Sequence, residues 1–183
     1  MSYAQSSLNA SIEIYDVTTG LLVNNTQPLN SSSRLVTDSA GIGLYAFLPD
    51  NYSVKKYQFE NNTLNLTGFS NNTSSDYWGR YGWASPDGKY LVLDSGHILN
   101  TKDFSLYLKL SSANSGAIRS VAFTSNSQIN VLTEYSGVRK IDLATGTDLS
   151  NTTCMRCLSI FSLNNELFYI GDGVSGYQIT GKL

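Results

Sequence analysis

The sequence predicts an all-β chain built from about four repeated four-stranded units. Three observations predict it: a strand-and-turn motif that returns every 42 residues, a second motif of two apolar strands around a polar turn lying between its copies, and a composition weighted toward strand and turn formers. The composition is the coarsest of the three. Charged residues are only 14% of the 183, and the polar content comes from Ser, Thr, Asn and Gly with 12 Tyr. That mixture suits strands and tight turns better than helices made from Ala, Glu, Lys and Leu.

The first motif is clearest from Ser11 to Gly20 (SIEIYDVTTG) and from Gly137 to Gly146 (GVRKIDLATG). Tyr15 and Ile141 are 126 residues apart, three steps of 42, and the two intermediate positions fall in similar strands, SVKKYQF from Ser53 to Phe59 and HILNT from His97 to Thr101. A fifth copy, Val174 to Gly181, follows after 36 residues. The second motif is clearest from Gly82 to Leu93 (GWASPDGKYLVL), where Pro86 presets φ and Gly88 accepts a positive φ. It returns from Ser120 to Leu132 and from Leu158 to Ile170, and most weakly from Arg34 to Phe47. Each unit thus supplies four short strands.

Four strands in about 42 residues is the period of β-propeller blades. The Ser85-Pro-Asp-Gly88 turn and the Asp16-x-x-Thr-Gly20 and Asp142-x-x-Thr-Gly146 endings resemble the WD-repeat and YVTN-type propeller families. The resemblance runs from Ser11 to Leu183 and leaves residues 1–10 as a flexible N-terminal segment. It implies a ring of blades and no single function. With strands named a to d from axis to rim, the chain opens on a c strand near residues 11 to 17 and then runs d-a-b-c four times. The spare strand implies either a piece of a larger ring or two chains that complete one. Open blade edges of this kind predict self-association.

A net charge of −2 leaves no electrostatic footprint for nucleic acid. No apolar run approaches the ~20 residues of a membrane span, and MSYAQSSLNAS at the N-terminus has neither the basic nor the apolar part of a signal peptide. Nine Asn-x-Ser/Thr sequons occur, at Asn9, Asn24, Asn30, Asn51, Asn61, Asn65, Asn71, Asn72 and Asn151, against about four expected from composition. They point to an extracellular or cell-surface protein. The alternative is that Asn-Asn-Thr is simply good turn chemistry.

Residue patterns that could carry chemistry are few. Gly171-Asp-Gly-Val-Ser-Gly176 has dinucleotide-loop spacing, but too little chain follows for the helix such a loop needs, so a tight b-to-c turn is expected. Cys154 and Cys157 are either two reduced thiols at the start of an inner strand or a local disulfide. A metal site lacks further ligands, since the only histidine is the distant His97. A catalytic triad through His97 and Asp94 competes with local hydrogen bonding across a turn. No cofactor is expected.

Two features bear on recognition. An acid recurs at each b-to-c turn, Asp50, Asp94, Glu134 and Asp172, forming either an acidic rim for cations or basic ligands, or a set of turn caps. The longest d-to-a loop, from about Phe69, carries Tyr77, Trp78, Arg80 and Tyr81, residue types enriched at binding hot spots. Trp78 serves there as a contact or as a plug over the blade. The expected function is a non-catalytic module for protein-protein or cell-surface recognition, with a protein or glycan partner. A fragment of a lactonase- or dehydrogenase-like propeller enzyme, or a self-assembling structural unit, is the alternative.

Overall fold

The computed structural model describes residues 11–25, 33–38, 43–48, 53–70, 79–110, 117–135, 137–154, 157–173 and 176–182. These contain 17 strands and no helix, arranged in five antiparallel sheets of consecutive strands. The first sheet is β1 (Glu13–Tyr15) with β2 (Leu22–Asn25). The second is β3 (Arg34–Thr37), β4 (Gly43–Leu48), β5 (Ser53–Glu60) and β6 (Thr63–Ser70). The third is β7 (Gly82–Ala84), β8 (Tyr90–Leu93), β9 (His97–Asn100) and β10 (Leu106–Lys109). The fourth is β11 (Ile118–Ser125), β12 (Gln128–Thr133), β13 (Gly137–Asp142) and β14 (Asp148–Thr152). The fifth is β15 (Cys157–Leu163), β16 (Glu166–Gly173) and β17 (Gly176–Lys182).

Seventeen strands are one more than four sets of four, and β1 is the extra c strand. The sheets cut the chain one strand later than the sequence repeat does. Each d-a-b-c unit ends one sheet and begins the next, which leaves three complete blades flanked by a c-d pair and an a-b-c triplet. Among the described residues β2 and β17 do not pair, so the ring is not closed.

The c-to-d turns show why the Asp-x-x-Thr-Gly pattern recurs. Asp16 Oδ1 accepts from the N–H groups of Thr18 and Thr19, both at 2.8 Å, and from Thr19 Oγ1 at 3.1 Å. Asp142 Oδ1 accepts from the N–H groups of Ala144 and Thr145 and from Thr145 Oγ1 at 2.9–3.0 Å. The fifth residue, Gly20 or Gly146, closes the turn on the first residue's carbonyl at 2.8 Å with φ of 69° or 72°. These backbone donors hold the Asp16 carboxyl below its usual range. The β9–β10 turn has the same frame with different residues: Phe104 donates to the Asn100 carbonyl at 2.8 Å at a φ of 57°. A phenylalanine thus stands where its counterparts have glycine, and its ring is buried.

Continuous apolar runs mark strands with a sheet on each side. In β8, Leu91 and Leu93 pack with Tyr45, Phe47 and Val54 of the preceding blade, while Val92 between them packs with Val121, Val131 and Ile141 of the following one. In β12, Val131 and Leu132 divide in the same way, the latter facing Cys157, Ile160 and Leu167. The core is therefore a series of slabs between blades. Near the axis one slab is polar: Ser120 Oγ donates to the Ile160 carbonyl at 3.0 Å and accepts the Ile160 N–H at 3.1 Å, tying β11 to β15.

Candidate functional site

The turns expected from sequence form as their chemistry requires. Gly88 closes the Ser85–Gly88 turn at a φ of 68°, with Ser85 Oγ donating to Asp87 Oδ1 at 2.8 Å and accepting the Tyr90 N–H at 2.9 Å. Of the Gly171–Gly176 stretch, Gly173 ends β16 and pairs with Gly176 at the start of β17, the pairing of a b-to-c hairpin. Cys154 and Cys157 form a disulfide with Cα atoms 5.5 Å apart, and Cys157 opens β15 within the inter-blade core.

Of the loop singled out for recognition, Tyr77 and Trp78 lie outside the described residues, as do Asp50 of the acidic rim and residues 1–10. Arg80 and Tyr81 lie within. Arg80 donates its backbone N–H to Asp94 Oδ1 at 2.9 Å, and Asp94 in turn donates its own N–H to the Tyr81 carbonyl at 3.0 Å. Gly79 precedes them at a φ of 89°, where any Cβ would overlap the Asp94 carboxylate. Asp94 is only 7% exposed. Its burial pushes the carboxyl above its usual range, against the N–H groups of Arg80, Tyr81 and Ser95 that pull it down. The Asp94 side chain is thus a clamp on the loop before β7, the capping role set beside the rim reading.

Glu134, the second rim acid with a described side chain, accepts from the Arg119 guanidinium at 3.0 Å. For Asp172 the backbone is described, paired with Tyr177 across the β16–β17 hairpin. Among the described residues no group of three or more His, Cys, Asp or Glu could hold a metal ion. His97 is 4% exposed, with Nδ1 2.9 Å from Ser95 Oγ. Local hydrogen bonding therefore occupies both members of the triad considered from sequence.

Tyr81 is the centre of what the fold brings together. Its ring lies under the Arg34 guanidinium carbon, 5.1 Å from the ring centroid, and meets Trp83 edge-on at 5.4 Å. Its hydroxyl donates to the Ile118 carbonyl at 3.4 Å, next to Arg119. One side chain just before the third sheet thus touches the inner strands of the sheets before and after it. The Arg80 and Arg34 side chains are exposed beside it, and Arg119 is half-exposed. Sequence reasoning reached Arg80 and Tyr81 and missed Arg34, Trp83 and Arg119. A signal was available: an arginine stands within two residues of the start of every inner strand, at Arg34, Arg80, Arg119 and Arg156.

A separate cavity of about 400 Å³ opens between the fourth and fifth sheets, lined by Asn130, Lys140, Thr152, Asn165 and Glu166 among others. None of these was singled out from sequence.

No family model matches the chain, and no curated protein does. Solved structures do. The chain is similar to hydrazine synthase of Kuenenia stuttgartiensis at a TM-score of 0.64 and 13% identity, over 90% of this chain and 51% of that one. It is similar to a chain of the mitotic checkpoint complex at 0.62 and 13%, over 96% and 60%, and to the computationally designed Ika4 protein at 0.57 and 13%, over 80% and 89%. The chain spans about half the length of the hydrazine synthase chain. Likeness at this identity concerns the fold, and the fold is a β-propeller. Among the described residues no helix is long and apolar enough to cross a membrane.

Proposed function

We propose that the chain is a non-catalytic propeller module for protein recognition, acting through the end of the inner strands where Arg80 and Tyr81 leave the loop. The observation that carries this reading is the clamped loop. Asp94 fixes the backbone at Arg80 and Tyr81 from one side of a rigid sheet, so the exposed Arg80 side chain is presented without the cost of ordering its support. Arg and Tyr are residue types that dominate binding hot spots. The fold neighbour in the mitotic checkpoint complex, itself part of a protein assembly, agrees with such a role. The absence of catalysis is part of the reading: the single histidine is buried and engaged with Ser95.

The test is to pan a displayed random-peptide library on the protein and on R80A. Sequences enriched on the parent and lost on R80A are the expected result. No enrichment, or enrichment that R80A leaves unchanged, would sink the reading.

An extracellular or cell-surface setting belongs to the same reading. The sequons among the described residues, Asn24, Asn61, Asn65 and Asn151, lie on β2, β6, β14 or the turn into β6, all outer positions in the sheets. Glycans there would leave the inner-strand end clear, with glycan contact as the alternative partner class. Expression in a secretory eukaryotic host followed by glycosidase treatment should shift the apparent mass.

Self-association is a second reading with its own observation. Among the described residues β17 pairs only with β16, whereas the corresponding c strands β5, β9 and β13 each pair with an outer strand as well. A strand from a second copy would complete it. Mass measurement in solution should give a dimer, and a monomer at all concentrations would remove this reading.

A further inference from the structure

The placement of arginine is unlike that of lysine. Four of the five arginines, Arg34, Arg80, Arg119 and Arg156, stand within two residues of the start of β3, β7, β11 and β15, one for each inner strand. The seven lysines lie elsewhere: Lys55 and Lys56 on β5, Lys89 and Lys102 in turns, Lys109 on β10, Lys140 on β13 and Lys182 on β17. The three of these that lie within the described residues are exposed at the same end of neighbouring inner strands, around Tyr81. Arg34 stacks over Tyr81, Arg80 precedes it in the chain, and Arg119 follows the residue whose carbonyl Tyr81 bonds. Among the described residues, Asp94 is committed to the Arg80 backbone and Glu134 to Arg119. Arg34 spends its guanidinium on a ring face, which leaves its N–H edges for other acceptors.

From this we infer that the inner-strand end of the propeller binds a short acidic peptide segment, whose carboxylates engage Arg34, Arg80 and Arg119 around Tyr81. The inference rests on the protein-recognition reading and names its partner class. Guanidinium groups bind carboxylates through two parallel hydrogen bonds, and the residue used at every inner strand is the planar fork and never the ammonium point charge. A long polyanion fits less well. The net charge is −2 and the lysines are scattered over other strands and turns, so a nucleic acid backbone would find no continuous basic track beyond the arginines. Glu134 acts as a built-in competitor, holding Arg119 until a ligand carboxylate displaces it.

The experiment is fluorescence anisotropy with labelled hexaglutamate, alongside hexalysine and a short single-stranded DNA, at low and near-physiological salt. Hexaglutamate should bind and weaken with salt. R34Q, R80Q and R119Q should each lower the affinity about 3-fold, and the triple variant about tenfold or more, while K140Q leaves it unchanged. E134Q should tighten binding about 2-fold or more by releasing Arg119, an effect that a purely structural Arg119–Glu134 pair would not produce. Circular dichroism of the triple variant confirms that it is folded. Absence of hexaglutamate binding, equal binding by the folded triple variant, or tighter binding of DNA than of hexaglutamate would each overturn the inference. Peptide panning separates the two levels. Enriched sequences lacking Asp and Glu would overturn the acidic-peptide assignment and leave protein recognition standing, whereas no enrichment at all removes protein recognition itself.

Discussion

Phe104 and Gly68 are complementary across a blade interface: a Cβ on Gly68 would stand 3.1 Å from Phe104 Cε2. The next interface inverts the sizes, with Gly146 in the turn and Leu108 on the outer strand, where a Cβ on Gly146 would lie 2.9 Å from Leu108 Cδ1. The β9–β10 and β13–β14 turns thus seat against the outer strand of the preceding blade, and in both one large and one small residue share the space.

This pairing predicts non-additive substitutions. F104G removes a buried ring and should destabilise by about 3 kcal/mol, the cavity loss being partly offset by relief of the left-handed backbone. G68L alone should be at least as harmful, since it overlaps the ring. The double variant F104G/G68L should recover about 1 kcal/mol or more relative to the sum of the singles, reproducing the Gly146–Leu108 arrangement. Urea denaturation of the four proteins checks this, and strict additivity would contradict it.

Arg139 and Asp148 predict an asymmetry. Arg139 Nε and Nη2 both reach the carboxylate, at 2.8–3.2 Å, and the Arg139 side chain is 10% exposed against 47% for Asp148. Removing Asp148 takes the carboxylate from a largely buried guanidinium, whereas removing Arg139 leaves a carboxylate that water can reach. D148A should therefore cost more than R139M, by about 1 kcal/mol. Equal losses would show that the pair is effectively solvent-screened.

For Asp94 the folded state holds the proton more tightly than the unfolded chain, because burial raises its pKa above the ordinary 3.8. On acidification through the window above 3.8 the folded protein takes up a proton that the unfolded chain does not, so this group's contribution to stability rises as pH falls and is lost as pH rises. D94N keeps an oxygen for the Arg80 N–H and removes the titration. The stability of the parent relative to D94N should accordingly increase from pH 7 toward pH 4.5, read from urea midpoints at each pH. A difference independent of pH would refute the assignment.

Ser120 links two inner strands through one hydroxyl that both donates and accepts. S120A leaves the buried Ile160 N–H and carbonyl without that partner and should cost about 1–3 kcal/mol. Hydrogen exchange should localise the loss to β11 and β15 if the link is as described; a loss spread evenly over all sheets would not fit.

Much of this fold could be read from turn chemistry. Asp16-x-x-Thr-Gly20 and Asp142-x-x-Thr-Gly146 announce their turns because a side-chain acceptor and a positive-φ residue sit where the geometry needs them. The β9–β10 turn was found by its period alone, since nothing in Asn100 to Phe104 advertises a left-handed Phe. That conformation is enforced by the space over Gly68, which exists only once two blades meet. The same reasoning separates Arg80 and Tyr81, visible as unusual residues in a loop, from Arg34 and Arg119, whose relation to Tyr81 depends on the angle between neighbouring sheets. Asp94 was visible as a recurring acid, but its spacing could not say whether the carboxylate faces solvent or the loop. Backbone donors at Arg80 settle that.

The one-strand offset between sequence repeat and sheet has a consequence for how such a chain can be cut or copied. A nick at a b-to-c turn leaves both halves in one sheet, held by its ladder, whereas a nick between d and a frees one whole blade from the next. Duplicating a 42-residue unit, by contrast, always inserts the outer strand of one blade together with the inner three of its successor. The new segment therefore arrives already joined to both neighbours, and lengthening the array never requires a new kind of junction.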